Sequence, residues 1–155
     1  MKSTMIDGVF IFPLKEIEDP KGSVLHMQKV TDEGFTTFGE CYFSEINPGS
    51  IKAWKIHSKQ TQNLAVPIGR IHLVLYDPRP TSSSFSKIME IQLGRPNDYF
   101  RIKIPFGLYY GFQCISHQTA LIVNCADIPH DPNESKKIDV TDSMIPYQWG
   151  DLRSN

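Results

Sequence analysis

Cysteine is scarce in this chain: Cys41, Cys114 and Cys125 are the only three in 155 residues. An odd, scattered set argues against a disulfide framework and contains no paired-cysteine zinc motif. The three read as buried free thiols in a reducing compartment. Net charge is almost absent: 16 Lys and Arg against 17 Asp and Glu leave −1. That balance supplies no electrostatic drive toward nucleic acid or a membrane surface, and neither is expected as a partner. Long apolar runs are missing too. Nothing approaches the roughly 18 residues of a membrane span, and residues 1–8 lack the apolar stretch of a signal peptide. A cytoplasmic protein is expected. There is no repeat, no low-complexity tract and no helical stripe of useful length.

What is present suits one domain, residues 1–155. A chain of this size buries roughly 70% of its unfolded surface, enough for a core without metal or disulfide. Turn signals recur at short spacing: Asp19-Pro20-Lys21-Gly22, Asn47-Pro48-Gly49, Pro67-Ile68-Gly69, Asp77-Pro78-Arg79-Pro80, Gly94 to Asp98 and Pro105-Phe106-Gly107. Between them lie runs rich in Val, Ile, Phe and Tyr, including Val9–Phe12, Val24–Gln28, Ile51–His57, Ile71–Tyr76, Tyr99–Ile104 and Ala120–Asn124. Short strands punctuated this way predict an all-β sandwich or barrel. Within Tyr99–Ile104, Phe100, Ile102 and Ile104 share one face while Tyr99, Arg101 and Lys103 share the other. Thr81 to Ser86 reads as an exposed loop. From Asp131 the chain turns polar and reads as an irregular tail packed over the barrel, anchored by Ile145, Tyr147 and Trp149.

One stretch carries more. Gly49 is followed by five residues and Lys55-Ile56-His57, then four residues to Gln62 and six to Gly69. Downstream, Pro105-Phe106-Gly107 is followed two residues later by Tyr110. Metal-binding cupin (jelly-roll) barrels share this spacing, with His-x-His, Glu and a second-motif His as ligands. Here three of the four ligand positions hold Lys55, Gln62 and Tyr110, and only His57 remains. A protonated Lys cannot ligate, and Gln and Tyr are weak ligands for a divalent transition metal. No metal and no cofactor are expected. Strand periodicity puts Ile51, Ala53, Lys55 and His57 on one face and Lys52, Trp54 and Ile56 on the other. If the first face points inward, burial lowers the pKa of both Lys55 and His57.

The chain resembles the dTDP-4-dehydrorhamnose 3,5-epimerase family along nearly its whole length. The resemblance runs from Gly8-Val9-Phe10-Ile11 and Asp19-Pro20-Lys21-Gly22 through Gly49 to Lys55. It continues through Gly69, Asp77-Pro78-Arg79 and Pro105 to Phe112, and reaches Asp142 to Ile145 and Trp149. It implies a metal-free cupin, a homodimer, and a nucleotide-linked 4-keto-6-deoxy sugar as substrate. A base removes the proton beside the keto group, and a Tyr on the other face reprotonates the enolate. Position by position, the family's base His falls on Lys55, its Tyr on Asn124, the Pro-x-Gly His on Tyr110, and a site Lys at or near Gln62. The Asp that orients the base falls on Asp142 and an inner Asp on Asp77. The phosphate-side arginines fall on Lys21 and Lys52, which keep charge but lose bidentate geometry.

These replacements move the expected roles. His57, whose ordinary pKa is near neutral, is the base; Lys55 is a cation that stabilises enolate charge; Tyr110 is the proton donor, since Asn124 cannot supply one. Asp142 is the orienting carboxylate. Lys21, Lys52, Gln62, Asn63, His72, Asp77 and Asn124 complete the expected substrate contacts. His26, His117 and His130 read as surface or loop residues, and Trp54 and Trp149 as packing. The reading is an isomerase with altered catalytic residues. A non-catalytic sugar-nucleotide scaffold and a 3,4-ketoisomerase on the same substrates stay open.

Overall fold

The structure, a computed structural model, describes residues 1–150; the last five residues of the expected domain lie outside the described residues. Its strands are β1 (Lys2–Ser3), β2 (Phe10–Pro13), β3 (Glu16–Ile17), β4 (Val24–Leu25), β5 (Glu40–Ile46), β6 (Ile51–His57) and β7 (Gln62–Ile68). They continue as β8 (Arg70–Tyr76), β9 (Ile88–Gly94), β10 (Phe100–Ile104), β11 (Tyr109–Cys114), β12 (Ala120–Ala126) and β13 (Ser135–Lys137). No helix occurs among the described residues, as the turn-punctuated pattern predicts.

Two antiparallel sheets face each other. One has six strands in the order β1-β2-β10-β7-β12-β5; the other has five in the order β13-β6-β11-β8-β9. β3 and β4 form a separate hairpin. The main core fills the space between the sheets: Leu64 and Val66 of β7, Ile102 and Ile104 of β10 and Ile122 of β12 meet Ile71, Leu73 and Leu75 of β8 and Phe112 of β11. The expected alternation in β10 holds. Ile102 and Ile104 enter this core, while Tyr99 and Arg101 turn to the outer face, where Tyr99 joins Ala65, Val123, Leu14, Leu25 and Met27. Gly69 is the corner at which the chain leaves the six-stranded sheet for the five-stranded one. Its φ is +72°, and a Cβ there would lie 2.7 Å from the Cα of Ala120, so the position is closed to side chains. The last glycine of the motif is therefore a hinge between layers.

The tail covers the outer face of the five-stranded sheet. Ile145 is buried against Trp54, Val74, Tyr76 and Tyr109, and Tyr147 and Trp149 close over Trp54 with ring centroids 5.9 and 5.1 Å away. Packing roles for both tryptophans follow. The tail is less irregular than its composition predicts, because it contributes β13, which pairs with β6 through Ser135↔His57 and Lys137↔Lys55.

Two local expectations need correction. Cys41 is exposed and Cys125 half-buried, so only Cys114 is a buried thiol. The Thr81–Ser86 loop is exposed at Phe85, but Ser84 is buried, and it joins Ser82 and Arg79 in bonding the fully buried Asp77. Burial alone would raise the Asp77 pKa. The bonds from Arg79, Ser82 and Ser84 more than offset it and hold the carboxyl well below the usual carboxylate range.

Candidate active site

A cavity of about 450 Å³ opens between the sheets. One wall belongs to the five-stranded sheet: Lys52, Ala53, Trp54 and Lys55 of β6, Tyr110 and Phe112 of β11, and Lys137 of β13. The opposite wall comes from the six-stranded sheet: Tyr42 and Ser44 of β5, Leu64 of β7, and Ile122 and Asn124 of β12.

The first wall departs from regular strand geometry in a way that matters. Tyr110 pairs with Lys55, yet Phe112, two residues on, pairs with Lys52, three residues back. β6 therefore holds one extra residue, a β-bulge at Ala53-Trp54. Strict alternation would send Lys52 to the face opposite Lys55; the bulge returns it to the same cavity. Gly111 makes this possible, because a Cβ there would lie 2.4 Å from the Cβ of Ala53. Lys52 reaches β5, where its ammonium donates to the carbonyl of Glu45.

His57 ends β6 and is 2% exposed. Its Nδ1 bonds the carboxylate of Glu134, and its Nε2 lies 3.2 Å from the hydroxyl of Tyr110. Glu134 stands just before β13, so the pairing of β13 with β6 delivers it. Its second oxygen accepts from the backbone N–H groups of Lys59 at 3.3 Å and Gln60 at 3.2 Å. Burial pushes Glu134 up, but the bonds from His57, Gln60 and Lys59 win, and the carboxyl titrates below its usual range. Burial lowers the His57 pKa, against the opposing pull of Glu134. Near pH 7 the contact is thus a hydrogen bond between a neutral imidazole and a carboxylate rather than a full ion pair. The tautomer follows: Nδ1–H donates to Glu134, and the Nε2 lone pair accepts from the Tyr110 hydroxyl. Burial raises the Tyr110 pKa strongly, so its phenol keeps its proton.

Burial also lowers the pKa of Lys55, and the nearby Lys137 adds to this. Both directions match the inward-facing reading of Lys55 and His57; Ala53, expected on the same face, is turned by the bulge to pack with Trp54 and Trp149 on the outer one. On the opposite wall Asn124 donates to Tyr42 Oη at 2.8 Å and also bonds the side-chain oxygen of Gln62. Gln62 lies behind Asn124, buried and bonded to Gln60. Among the described residues no group of three or more His, Cys, Asp or Glu side chains is arranged to hold a metal ion.

The structure thus gathers Lys52, Lys55, His57, Gln62, Tyr110 and Asn124. His57, however, does not line the cavity; it lies behind Tyr110. Asp142 is elsewhere: it caps its own turn, accepting from the N–H of Met144, and Glu134 takes the place beside His57. Asn63 faces outward to Arg101, since β7 alternates and Gln62 takes the inward position. His72 lies on the outer face under the tail, with its Nε2 2.9 Å from Glu90 and 3.1 Å from Tyr147. Asp77 is sealed in its Arg79 and serine cage. Lys21 is exposed on the turn between β3 and β4. Glu134, Tyr42 and Lys137 are the site residues that sequence reasoning missed.

A jelly roll of this strand order, with a cavity open between its two sheets, is a cupin barrel. A family model for dTDP-4-dehydrorhamnose 3,5-epimerase matches residues 3–155, and the chain belongs to that family. The crystal structure of a dTDP sugar isomerase from Desulfovibrio desulfuricans G20 is 40% identical, covers 97% of this chain and 98% of its own, and superposes with a TM-score of 0.95. The spore coat polysaccharide biosynthesis protein SpsL of Bacillus subtilis (strain 168) is 27% identical over 147 residues, 94% of this chain and 97% of its own length. A probable low-salt glycan biosynthesis epimerase, Agl13 of Haloferax volcanii, is 31% identical over 107 residues, 68% of this chain and 65% of its own length.

Proposed function

We propose that this chain is a nucleotide-sugar epimerase. It exchanges a proton at carbon 3, carbon 5 or both of a nucleoside-diphosphate 4-keto-6-deoxy sugar. The observation that carries the mechanism is the buried chain Glu134–His57–Tyr110, which ends on the cavity. A proton beside the keto carbon passes to the Tyr110 oxygen as the Tyr110 proton passes to His57 Nε2. Glu134 then pairs with the imidazolium. The ammonium of Lys55, which is the register partner of Tyr110, stabilises the enolate oxygen. The diphosphate of the bound substrate keeps Lys55 protonated and is held by Lys52 and Lys137 at the mouth.

Inversion needs a proton from the other face. Asn124 stands where the family has its Tyr and cannot provide one. Tyr42, the cross-strand partner of Asn124, brings a phenol to the wall opposite Tyr110. Burial raises its pKa, so it arrives protonated. It donates to the enolate and recovers a proton from solvent, while Tyr110 releases the abstracted proton to solvent as His57 Nε2 hands its own proton back to the phenol. The family resemblance supports a homodimer, residues 1–155 as one domain, and a cytoplasmic step in building deoxysugars for surface polysaccharide or another glycosylated product.

The test is incubation with dTDP-4-keto-6-deoxyglucose in deuterated water, read by mass and by product stereochemistry. Deuterium at carbon 3 or 5 together with an inverted product is expected. Binding without any exchange would show a scaffold instead and overturn the proposal.

A further inference from the structure

The reverse face of the Tyr42–Asn124 wall carries a second pair. Along β5, Tyr42 and Ser44 turn to the cavity, so Cys41 and Phe43 turn away from it. Along β12, Ile122 and Asn124 turn inward, so Cys125 turns outward. Cys41 and Cys125 are direct cross-strand partners. Their sulfurs lie 3.5 Å apart, with the Cys125 thiol donating toward Cys41 Sγ. Directly opposed residues of an antiparallel pair have Cα atoms about 4.5 to 5.5 Å apart, inside the range of roughly 4.4 to 6.8 Å that a disulfide spans. The backbone is thus already in position for a bond, and only side-chain rotation remains. Cys41 is exposed while Cys125 is half-buried.

We propose that Cys41 and Cys125 form a redox-active dithiol that closes to a cross-strand disulfide with a low-molecular-weight disulfide as oxidant. Cys41, the accessible thiol, attacks the oxidant as thiolate, forms a mixed disulfide and expels one small thiolate. Cys125 then attacks the Cys41 sulfur, expels the second small thiol, and gives up its proton to it. Two protein thiols are oxidised and one small disulfide is reduced to two thiols. Burial and the neighbouring Cys41 push the Cys125 thiol up to about 12, so Cys125 is the second thiol to react, and its position beside Cys41 compensates for its low thiolate fraction. Cys114 takes no part: it is buried in the core and bonds Ser116 and Gln118.

Folded protein treated with oxidised glutathione and read by intact mass and by thiol titration after denaturation tests this. Wild type should lose the mass of two hydrogen atoms, fall from three titratable thiols to one, and return to three with dithiothreitol. Cys125→Ser should keep a glutathione adduct on Cys41, and the surface variant Cys41→Ser should gain neither adduct nor bond. A wild type that retains the Cys41 adduct as fully as Cys125→Ser does would overturn the proposal. So would a disulfide linking two chains, or three thiols that stay reduced.

Discussion

The two walls of the cavity are built from the same kind of strand but differ in chemistry. The five-stranded wall is ionic: Lys52, Lys55 and Lys137 face the space, and the Glu134–His57 pair stands behind Tyr110. The six-stranded wall is neutral: Tyr42 and Asn124 sit among Leu64, Ile122 and Ser44. In the proposed mechanism the first wall holds charge and removes a proton, whereas the second has only to return one.

The sharpest break of that contrast lies on the ionic wall. Tyr110→Phe and His57→Ala should each lower kcat by about 1,000-fold, a value within the 10²–10⁴ attributed to a positioned proton carrier. Both should lose solvent deuterium exchange together with epimer formation. On the neutral wall, Tyr42→Phe should cost about 100-fold in inverted product. It should retain deuterium exchange, because removal and return on the ionic face survive. The ratio of exchange to inversion, measured by mass and NMR, therefore separates the walls. Equal losses in both readouts would end the division.

The pH profile is the next test. The lowered His57 pKa leaves its Nε2 free to accept at neutral pH, so kcat should hold through neutrality and fall only below pH of about 6.5, the ordinary histidine value. Stability should follow the same direction. The unfolded histidine takes up a proton near that pH while the folded one does not. The contribution is full above about 6.5 and is lost as pH falls toward the folded value. Urea denaturation at several pH values measures it.

Lys137→Ala should weaken dTDP binding by about tenfold at low salt and less at high salt, since an exposed cation acts through screened charge. Calorimetry at two ionic strengths reads this. The smallest effect belongs to Asp142→Asn, within about 0.5 kcal/mol of wild type in stability and unchanged in kcat, because the side chain only caps its own turn.

Much of the barrel was legible in the sequence. Ile51–His57 reads as a strand with the bounds it has, and the turn signal Pro67-Ile68-Gly69 falls where the chain passes from β7 to β8. The inward face of Lys55 and His57 follows from a period of two. The site was less legible, for three reasons. The β6 bulge interrupts that period through contact with Gly111, which lies far along the chain. Tyr42 reaches the site through pairing of β5 with β12, and no local pattern announces that register. Glu134 sits in a polar run where nothing distinguishes a buried carboxylate from a solvated one. Its partner His57 lies 77 residues away in sequence.

The position of β13 also ties the buried carboxylate to the rim of a sheet. β13 is the outermost strand of the five-stranded sheet and pairs with β6 alone. A three-residue edge strand opens at a lower free energy than the strands packed inside the sheet. Fraying there would withdraw Glu134 from His57 while the register of Lys55 with Tyr110 stays paired.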